Sequence, residues 1–292
     1  MSRLDTRPEL ELEVPRGAAA VPHTVVTFRD HLSTIQEDEL AVEEPLEIRL
    51  GGRSLSVTMR TPGEDEELVA GFLFSEGIIT GADDLDVIAR YRGPDGDAAR
   101  GNVINVLLKG DLRVAKERLR RNFIASSSCG LCGKAMIDAL RSTHAPVEAD
   151  VAVPIERFHH LASVMGQAQA TFEKTGGLHA AALFDTDGRL IVVREDIGRH
   201  NAVDKVIGHM MLARETPLDR HILMVSGRAS FEILQKALAA RIPVLAAVSA
   251  PSSMAVQTAR AGNMTLVGFL RGGGFNIYAG AHRVTRGVSE LV

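Results

Sequence analysis

The sequence predicts an α/β protein in two parts, a smaller β-rich N-terminal domain with one helix and a C-terminal α/β domain. Two patterns lead to this reading. Up to about residue 109, apolar residues alternate with polar ones and are punctuated by Gly-containing turns, the signature of half-buried strands. From about residue 179, short apolar runs alternate with helix-forming stretches, as in a layered sheet with helices against it. A chain of 292 residues is long enough to fill one large core or two smaller ones.

Taken in order, residues 1–22 are charged and then Ala- and Pro-containing, with no sustained period, and are expected to be a disordered tail. The β-rich domain is expected over 23–124. In "EPLEIRL" and "SLSVTMR", Leu46, Ile48 and Leu50 and then Leu55, Val57 and Met59 alternate around Gly51-Gly52-Arg53, as a hairpin requires. "DVIARYRG" and "NVINVLLKG" flank the turn-rich "PDGD" and predict a second hairpin. Between the two, Thr61 has the chemistry of an N-cap, Pro62 suits the first helical position and Glu64 closes a capping box. Leu68, Val69, Phe72 and Leu73 follow at helical spacing and supply a buried face.

The C-terminal domain is expected over 125–292. "HAAALFD" and "RLIVVRED" read as strands around the turn Thr186-Asp187-Gly188. Asn201 is the expected cap of the helix "NAVDKVIGHMMLAR", with Asp204 favourably placed in its first turn. The apolar runs "HILMVSG", "PVLAAVSA" and "MTLVGFLRG" alternate with the helices "SFEILQKALAAR" and "SSMAVQTARAG", which predicts a largely parallel sheet. The Pro-containing stretch 143–154 reads as a connection.

Composition excludes several functions. Hydrophobic residues at 45% and charged residues at 24% are ordinary for a globular protein. A net charge of −4 argues against sequence-independent nucleic-acid binding. No apolar run approaches a membrane span, and the charged N-terminus lacks the apolar segment of a signal peptide. Two cysteines cannot build a secreted disulfide framework. A cytoplasmic location is expected, where a dithiol stays reduced.

Both cysteines lie in "SSSCGLCGKA", residues 126–135. "GKAMIDALR" then reads as a helix, which places Cys132 near a helix N-terminus that favours a thiolate. Lys134 and the upstream Arg113, Lys116, Arg118, Arg120 and Arg121 add positive potential, and the Ser and Gly surroundings suggest an exposed loop. Several chemistries fit such a pair. A structural zinc site needs two further ligands, for which His179 or His200 are candidates without ligand spacing. A zinc nucleobase deaminase needs an upstream His-x-Glu, and none of the ten histidines is followed at the second position by Glu. A thioredoxin-like oxidoreductase would set the dithiol after an early strand, whereas here it follows a basic stretch. Sulfur carriage on one thiolate as a persulfide is the fourth, and two loop cysteines without a role the last.

Small residues and arginines recur at loops that suit an anionic ligand. "SGRAS" holds Ser226, Gly227 and Arg228 between a strand and a helix, "SAPSS" repeats the position one unit later, and "GFLRGGGFN" sets Arg271 beside Gly272, Gly273 and Gly274. "REDIGRHNAVDK" gathers Asp196, Arg199, His200, Asn201 and Lys205 at one helix start. These junctions predict a phosphate-bearing ligand at the carboxyl edge of the sheet.

"TPGEDEELVAGFLFSEGII", "SSSCGLCGKA", "TGGLHAAALF", "VREDIGRHNAVDKVIG", "SGRASFEILQKA" and "GFLRGGGFNIY", in this order from about residue 23 to the C-terminus, resemble the FdhD/NarQ family of formate dehydrogenase accessory sulfurtransferases. The resemblance implies a cytidine-deaminase-like α/β domain without zinc chemistry, and a homodimer. It implies a sulfur carrier that takes sulfur from a cysteine desulfurase and delivers it to a molybdenum (or tungsten) bis-guanine-dinucleotide cofactor, bound as substrate, before insertion into formate dehydrogenase. By position it makes Cys129 the persulfide-bearing residue and Cys132 its companion, with no resident metal. It places the cofactor on Phe269, Leu270, Arg271, Gly272, Gly273 and Gly274, which Ser226, Gly227, Arg228, His200 and Asn201 are expected to join. Neither nucleic acid nor membrane is an expected partner.

Overall fold

The computed structural model describes residues 13–30, 32–91, 101–110 and 144–286. Strands β1 (Ala20–Arg29) and β2 (Leu32–Ala41) pair antiparallel into a ribbon, with Ala20 opposite Ala41 and Arg29 opposite Leu32. β1 therefore begins inside the stretch expected as tail. Val42 N–H donates to the Ala19 carbonyl at 2.9 Å and ties the ribbon's base down.

The first domain core is a four-stranded sheet. β3 (Glu44–Leu50) pairs antiparallel with β4 (Arg53–Arg60), and β5 (Leu85–Arg90) pairs antiparallel with β6 (Val103–Leu108), while β3 and β6 run parallel, giving the order β4-β3-β6-β5. Both expected hairpin pairings are present. The inward alternate residues Leu46, Ile48, Ile104 and Val106 are buried against Leu68, Val69 and Leu73 of helix α1 (Asp65–Ser75).

Helix α1 starts later than the capping box predicts. Its first residue is Asp65, preceded by Glu64 in the left-handed region with φ 48°. The Thr61 hydroxyl, the expected cap, instead accepts the Ile197 N–H at 3.2 Å, and the Thr61 carbonyl accepts from Lys205 Nζ at 3.1 Å. A long-range acceptor role has displaced the local one.

β7 (Val153–Pro154) leads into helices α2 (Ile155–Gln167) and α3 (Ala170–Thr175). Then follow β8 (His179–Asp185), β9 (Leu190–Asp196), α4 (Arg199–Leu212), β10 (His221–Val225), α5 (Phe231–Ala239), β11 (Val244–Ala247), α6 (Ser253–Ala261), β12 (Thr265–Arg271) and β13 (Gly274–Ala279). A final strand, β14 (Val284–Thr285), pairs parallel with β7. The large sheet has the order β13-β12-β11-β10-β8-β9.

That sheet is mixed rather than largely parallel as expected. Only β10, β11 and β12 run parallel, and β8, β9 and β13 join antiparallel. The tight turns after β8 and β12 reverse the chain without a crossover helix, so they can only make antiparallel pairs. The first residue of β8 thereby comes to the carboxyl end of β10.

Three layers result. Leu183, Leu223 and Leu245 pack with Val206 of α4 and Ile233 of α5 on one face, while Phe184, Met224 and Val267 meet Phe158 and Leu161 of α2 on the other. β11 is buried along its whole length, as expected of a strand covered on both faces.

The two cores are joined where α1 crosses α4. A Cβ at Gly71 would lie 1.8 Å from the Asp204 carbonyl oxygen, and one at Gly208 would lie 1.8 Å from that of Glu67. Only glycine permits this approach. Beside the crossing, Asp204 and Lys236 are 2.9 Å apart and both reach Ser75, while Glu67 receives a two-pronged ion pair from Arg194. Among the described residues no helix is long and apolar enough to cross a membrane.

Candidate functional site

The carboxyl ends of β10, β11 and β12 lie side by side, and the segment at each end touches the next. Ser252 N–H donates to the Ala229 carbonyl at 2.9 Å, and Phe269 N–H donates to that of Ser249 at 3.2 Å. Small residues make this close approach possible: a Cβ on Gly268 would sit 3.0 Å from Pro251 Cδ and 2.9 Å from Tyr278 Cε2. Ser226, Gly227 and Arg228 thus share one edge with Phe269, Leu270 and Arg271.

Their roles within that edge differ. Phe269 has φ 55° at an irregularity in the β12–β13 pairing, a left-handed backbone that a bulky residue adopts only under tertiary constraint. Its ring lies 5.6 Å from the Arg271 guanidinium. Leu270 is buried in the core, so only its backbone faces the edge. Gly272 and Gly273, at φ 59° and 79°, form the exposed turn from β12 into β13, and Gly274 begins β13. The glycine run is therefore a hairpin tip, not the strand-to-helix junction that its likeness to the other loops suggested.

The segment 194–205 separates into two functions. Asp196 pairs with Lys205 at 2.9 Å and accepts from Gly198 N–H, while Lys205 Nζ also donates to the carbonyls of Thr61 and Glu195. Asn201 does not cap the helix, whose N-cap is Gly198. It sits in the first turn with its amide donating to the Met59 carbonyl at 2.8 Å and to Asp196 Oδ1 at 2.9 Å. These three side chains fasten α4 to the N-terminal sheet and lie behind the edge. Arg199 and His200 point the other way.

His200 Nε2 is 3.4 Å from Ser230 Oγ and 3.9 Å from Glu232. Burial first, and then the charges of Arg199 and Lys236, push its pKa down to about 4. His179, which opens β8, is also held below the usual histidine range, first by burial and then by Arg199 and Arg228. Both imidazoles are therefore neutral near pH 7, and the positive charge of the edge resides on the arginines. Burial works against ionisation of Glu232, but hydrogen bonds from its own N–H and Ser230, with the nearby His200 and Arg199, hold its pKa below the usual range.

Sequence reasoning weighed His179 only as a zinc ligand, and named Arg199 only as one of the residues gathered at a helix start. Their convergence depends on β8 running antiparallel to β10, which no local pattern announces. Among the described residues no group of three or more His, Cys, Asp or Glu is arranged to hold a metal. A separate shallow hollow of about 700 Å³ lies along the outer edge of β13, between His159 and Tyr278. Its lining is mainly apolar and brings no charges together, so the carboxyl edge is the stronger candidate. Cys129 and Cys132, the basic residues 113–121, Lys134, the helix expected after the cysteines and the "PDGD" turn lie outside the described residues.

Residues 41–285 match the model of the FdhD/NarQ family. The sulfur carrier protein FdhD of Streptomyces coelicolor is 51% identical over 272 residues, covering 92% of this chain and 96% of that protein. The sulfur carrier protein FdhD of Nocardia farcinica is 50% identical, covering 85% of this chain and 89% of its own. A crystal structure assigned as a formate dehydrogenase accessory protein from Desulfotalea psychrophila superposes with a TM-score of 0.72 at 25% identity, over 92% of this chain and all of that one. By sequence and by fold, the chain belongs to the FdhD/NarQ family.

Proposed function

We propose that this chain is a sulfur carrier in formate dehydrogenase maturation, acting as a sulfurtransferase through a persulfide on Cys129. The observation that carries the reading is the carboxyl edge: three small-residue segments converge there with Arg199 and Arg228, in a chain whose only thiols form one Cys-x-x-Cys. Such an edge suits a phosphate-bearing substrate, here the molybdenum bis-guanine-dinucleotide cofactor. The similarity to sulfur carrier proteins supports the same role.

Two transfers balance. A cysteine desulfurase presents a persulfide, and the Cys129 thiolate attacks its terminal sulfur. The new S–S bond forms as the donor cysteine leaves as thiolate. In the second transfer the Cys132 thiolate attacks Cys129 Sγ, a Cys129–Cys132 disulfide forms, and the terminal sulfur leaves as hydrosulfide. That ion takes the place of an oxygen ligand on the substrate's metal, and the oxygen departs as water with protons from solvent. A cellular dithiol then restores both thiols.

The layer from β8 to β13 is read as cytidine-deaminase-like, which the β9-β8-β10-β11-β12 order supports. The chain is read as a cytoplasmic homodimer. Exposed Val57, Met59, Val87 and Leu107 lie on the face of the four-stranded sheet opposite α1 and supply an apolar surface for a second copy. The test is direct. Incubation with a desulfurase and sulfur-labelled cysteine, followed by non-reducing peptide mass analysis, should place one labelled sulfur on Cys129. Equal labelling of a Cys129→Ala chain would overturn the reading.

A further inference from the structure

The two edges of the large sheet are treated differently. β9 ends in Arg194, Glu195 and Asp196, and the Glu195 carboxylate accepts the N–H groups of Thr171 and Phe172 in α3 at 2.9 and 2.7 Å. That edge is charged and partly covered. In the small sheet, edge strand β4 holds Arg53 and Arg60, and edge strand β5 holds Asp86 and Arg90. β13 reads Gly274 to Ala279 without a charged residue or a proline. Charge and proline are the usual guards of a strand edge, whose unpaired N–H and C=O groups otherwise invite another chain. Among the described residues β13 pairs only with β12, so its outer side is an unguarded edge.

The hollow of about 700 Å³ runs along this edge. Ile155 and His159, four residues apart and so on one face of α2, form one wall, and β13 forms the other. The Phe275 ring lies 5.0 Å from that of Phe158 and 5.9 Å from that of His159, which holds strand against helix. Ile277 stays 37% exposed at the rim. A groove between a helix and an open strand edge fits an extended backbone, which pairs with the strand while alternate side chains enter the hollow. The lining contains no lysine, arginine or carboxylate, so the side chains it accepts are uncharged ones.

Position selects among partners. Gly274 lines the hollow and directly follows the Gly272–Gly273 turn, so the groove continues from the stretch expected to hold the cofactor. The protein that has to reach both is the one that receives the cofactor. Resting on the proposed role in maturation, we propose that β13 and α2 form the docking groove for formate dehydrogenase lacking its cofactor, which lays an extended, uncharged segment on β13 as a seventh strand of the large sheet.

The experiment mixes the full chain with formate dehydrogenase lacking its cofactor and follows amide exchange by mass spectrometry. The β13 amides should exchange slower by about tenfold or more in the mixture. Ile277→Glu puts a charge on the edge and should weaken the complex by about tenfold or more, with slower activation of the enzyme. Ile277→Thr keeps an uncharged, β-branched side chain and should bind as the parent does. The thermal midpoint and sulfur loading on Cys129 should match the parent in both variants, which separates docking from folding and from sulfur uptake. A complex that activates the enzyme with β13 exchange unchanged, or that Ile277→Glu forms at parental strength, overturns the groove. So does protection that needs only more of the chain itself, or that a cysteine desulfurase gives and formate dehydrogenase does not. Sulfur delivery with no complex detected overturns the docking groove alone. A chain that neither binds the enzyme nor passes sulfur to its cofactor overturns the groove together with the maturation role beneath it.

Discussion

Replacing Gly208 by alanine tests how the two cores are joined. The added Cβ would stand 1.8 Å from the Glu67 carbonyl oxygen and 2.7 Å from Gly71 N. A carbon needs more than 3 Å from such atoms, so α1 and α4 must separate by roughly 1.5 Å. Overpacking of this kind costs about 1–3 kcal/mol. The same separation stretches the 2.8 Å bond from Ser75 Oγ to Asp204 and the 3.0 Å bond from Lys236 Nζ to Ser75 beyond useful length. Each group left unpaired in the interior adds about 1–3 kcal/mol. Better helix propensity of alanine returns under about 1 kcal/mol. The net loss should be about 3–5 kcal/mol, a large share of the 5–15 kcal/mol typical of a whole domain. Urea unfolding followed by circular dichroism measures it. Gly166, near the end of α2, is the control: a Cβ there meets nothing within 4 Å, so Gly166→Ala should be neutral or slightly stabilising. A loss below about 1 kcal/mol for Gly208→Ala, or an equal loss at both sites, would refute the crossing as described.

Other consequences follow from the same contacts. Lys236→Met should cost about 3–5 kcal/mol by leaving Asp204 charged and alone in the interior, and adding Asp204→Leu should recover much of it in chemical denaturation. Thr61→Val should cost about 1–2 kcal/mol by removing the acceptor for Ile197 N–H, with the amide-exchange boundary of α1 unchanged at Asp65. His200 should titrate near pH 4 by NMR, against 6.5 in the unfolded chain. The unfolded state therefore takes up the proton first, and stability is lost as pH falls from 6.5 towards 4. Because its side chain is 36% exposed, screening should hold that loss to about 1 kcal/mol. A His200 titrating at 6.5 would contradict its burial beside Arg199.

Local periodicity made the β3–β4 hairpin legible, since Leu46, Ile48 and Leu50 face one core with period two. The helices after β10 and β11 were equally plain, and Ser230 and Ser252, the first residues of the stretches read as helical, stand at their N-cap positions. What local patterns missed was set by partners far along the chain. Thr61 looked like a cap, but its hydroxyl belongs to Ile197; Asn201 looked like another, but its amide belongs to Met59 and Asp196. The alternation of strands and helices suggested largely parallel pairing, and the hairpins at both sides of the large sheet depart from it. At the candidate site the sequence marked segments that the fold brings to one edge, without separating their faces. Asp196, Asn201 and Lys205 hold α4 in place, and only Arg199 and His200 of that cluster turn to the edge.

The proposed role is tested most directly by following one sulfur atom through both transfers. The carrier is loaded with labelled sulfur, freed of donor, and mixed once with molybdenum cofactor and formate dehydrogenase lacking it. The account predicts that label leaves the Cys129 peptide as labelled, active client enzyme accumulates, and that the Cys129→Ala chain supports neither. Active enzyme formed while the label stays on Cys129, or formed equally well with the alanine variant, would contradict it.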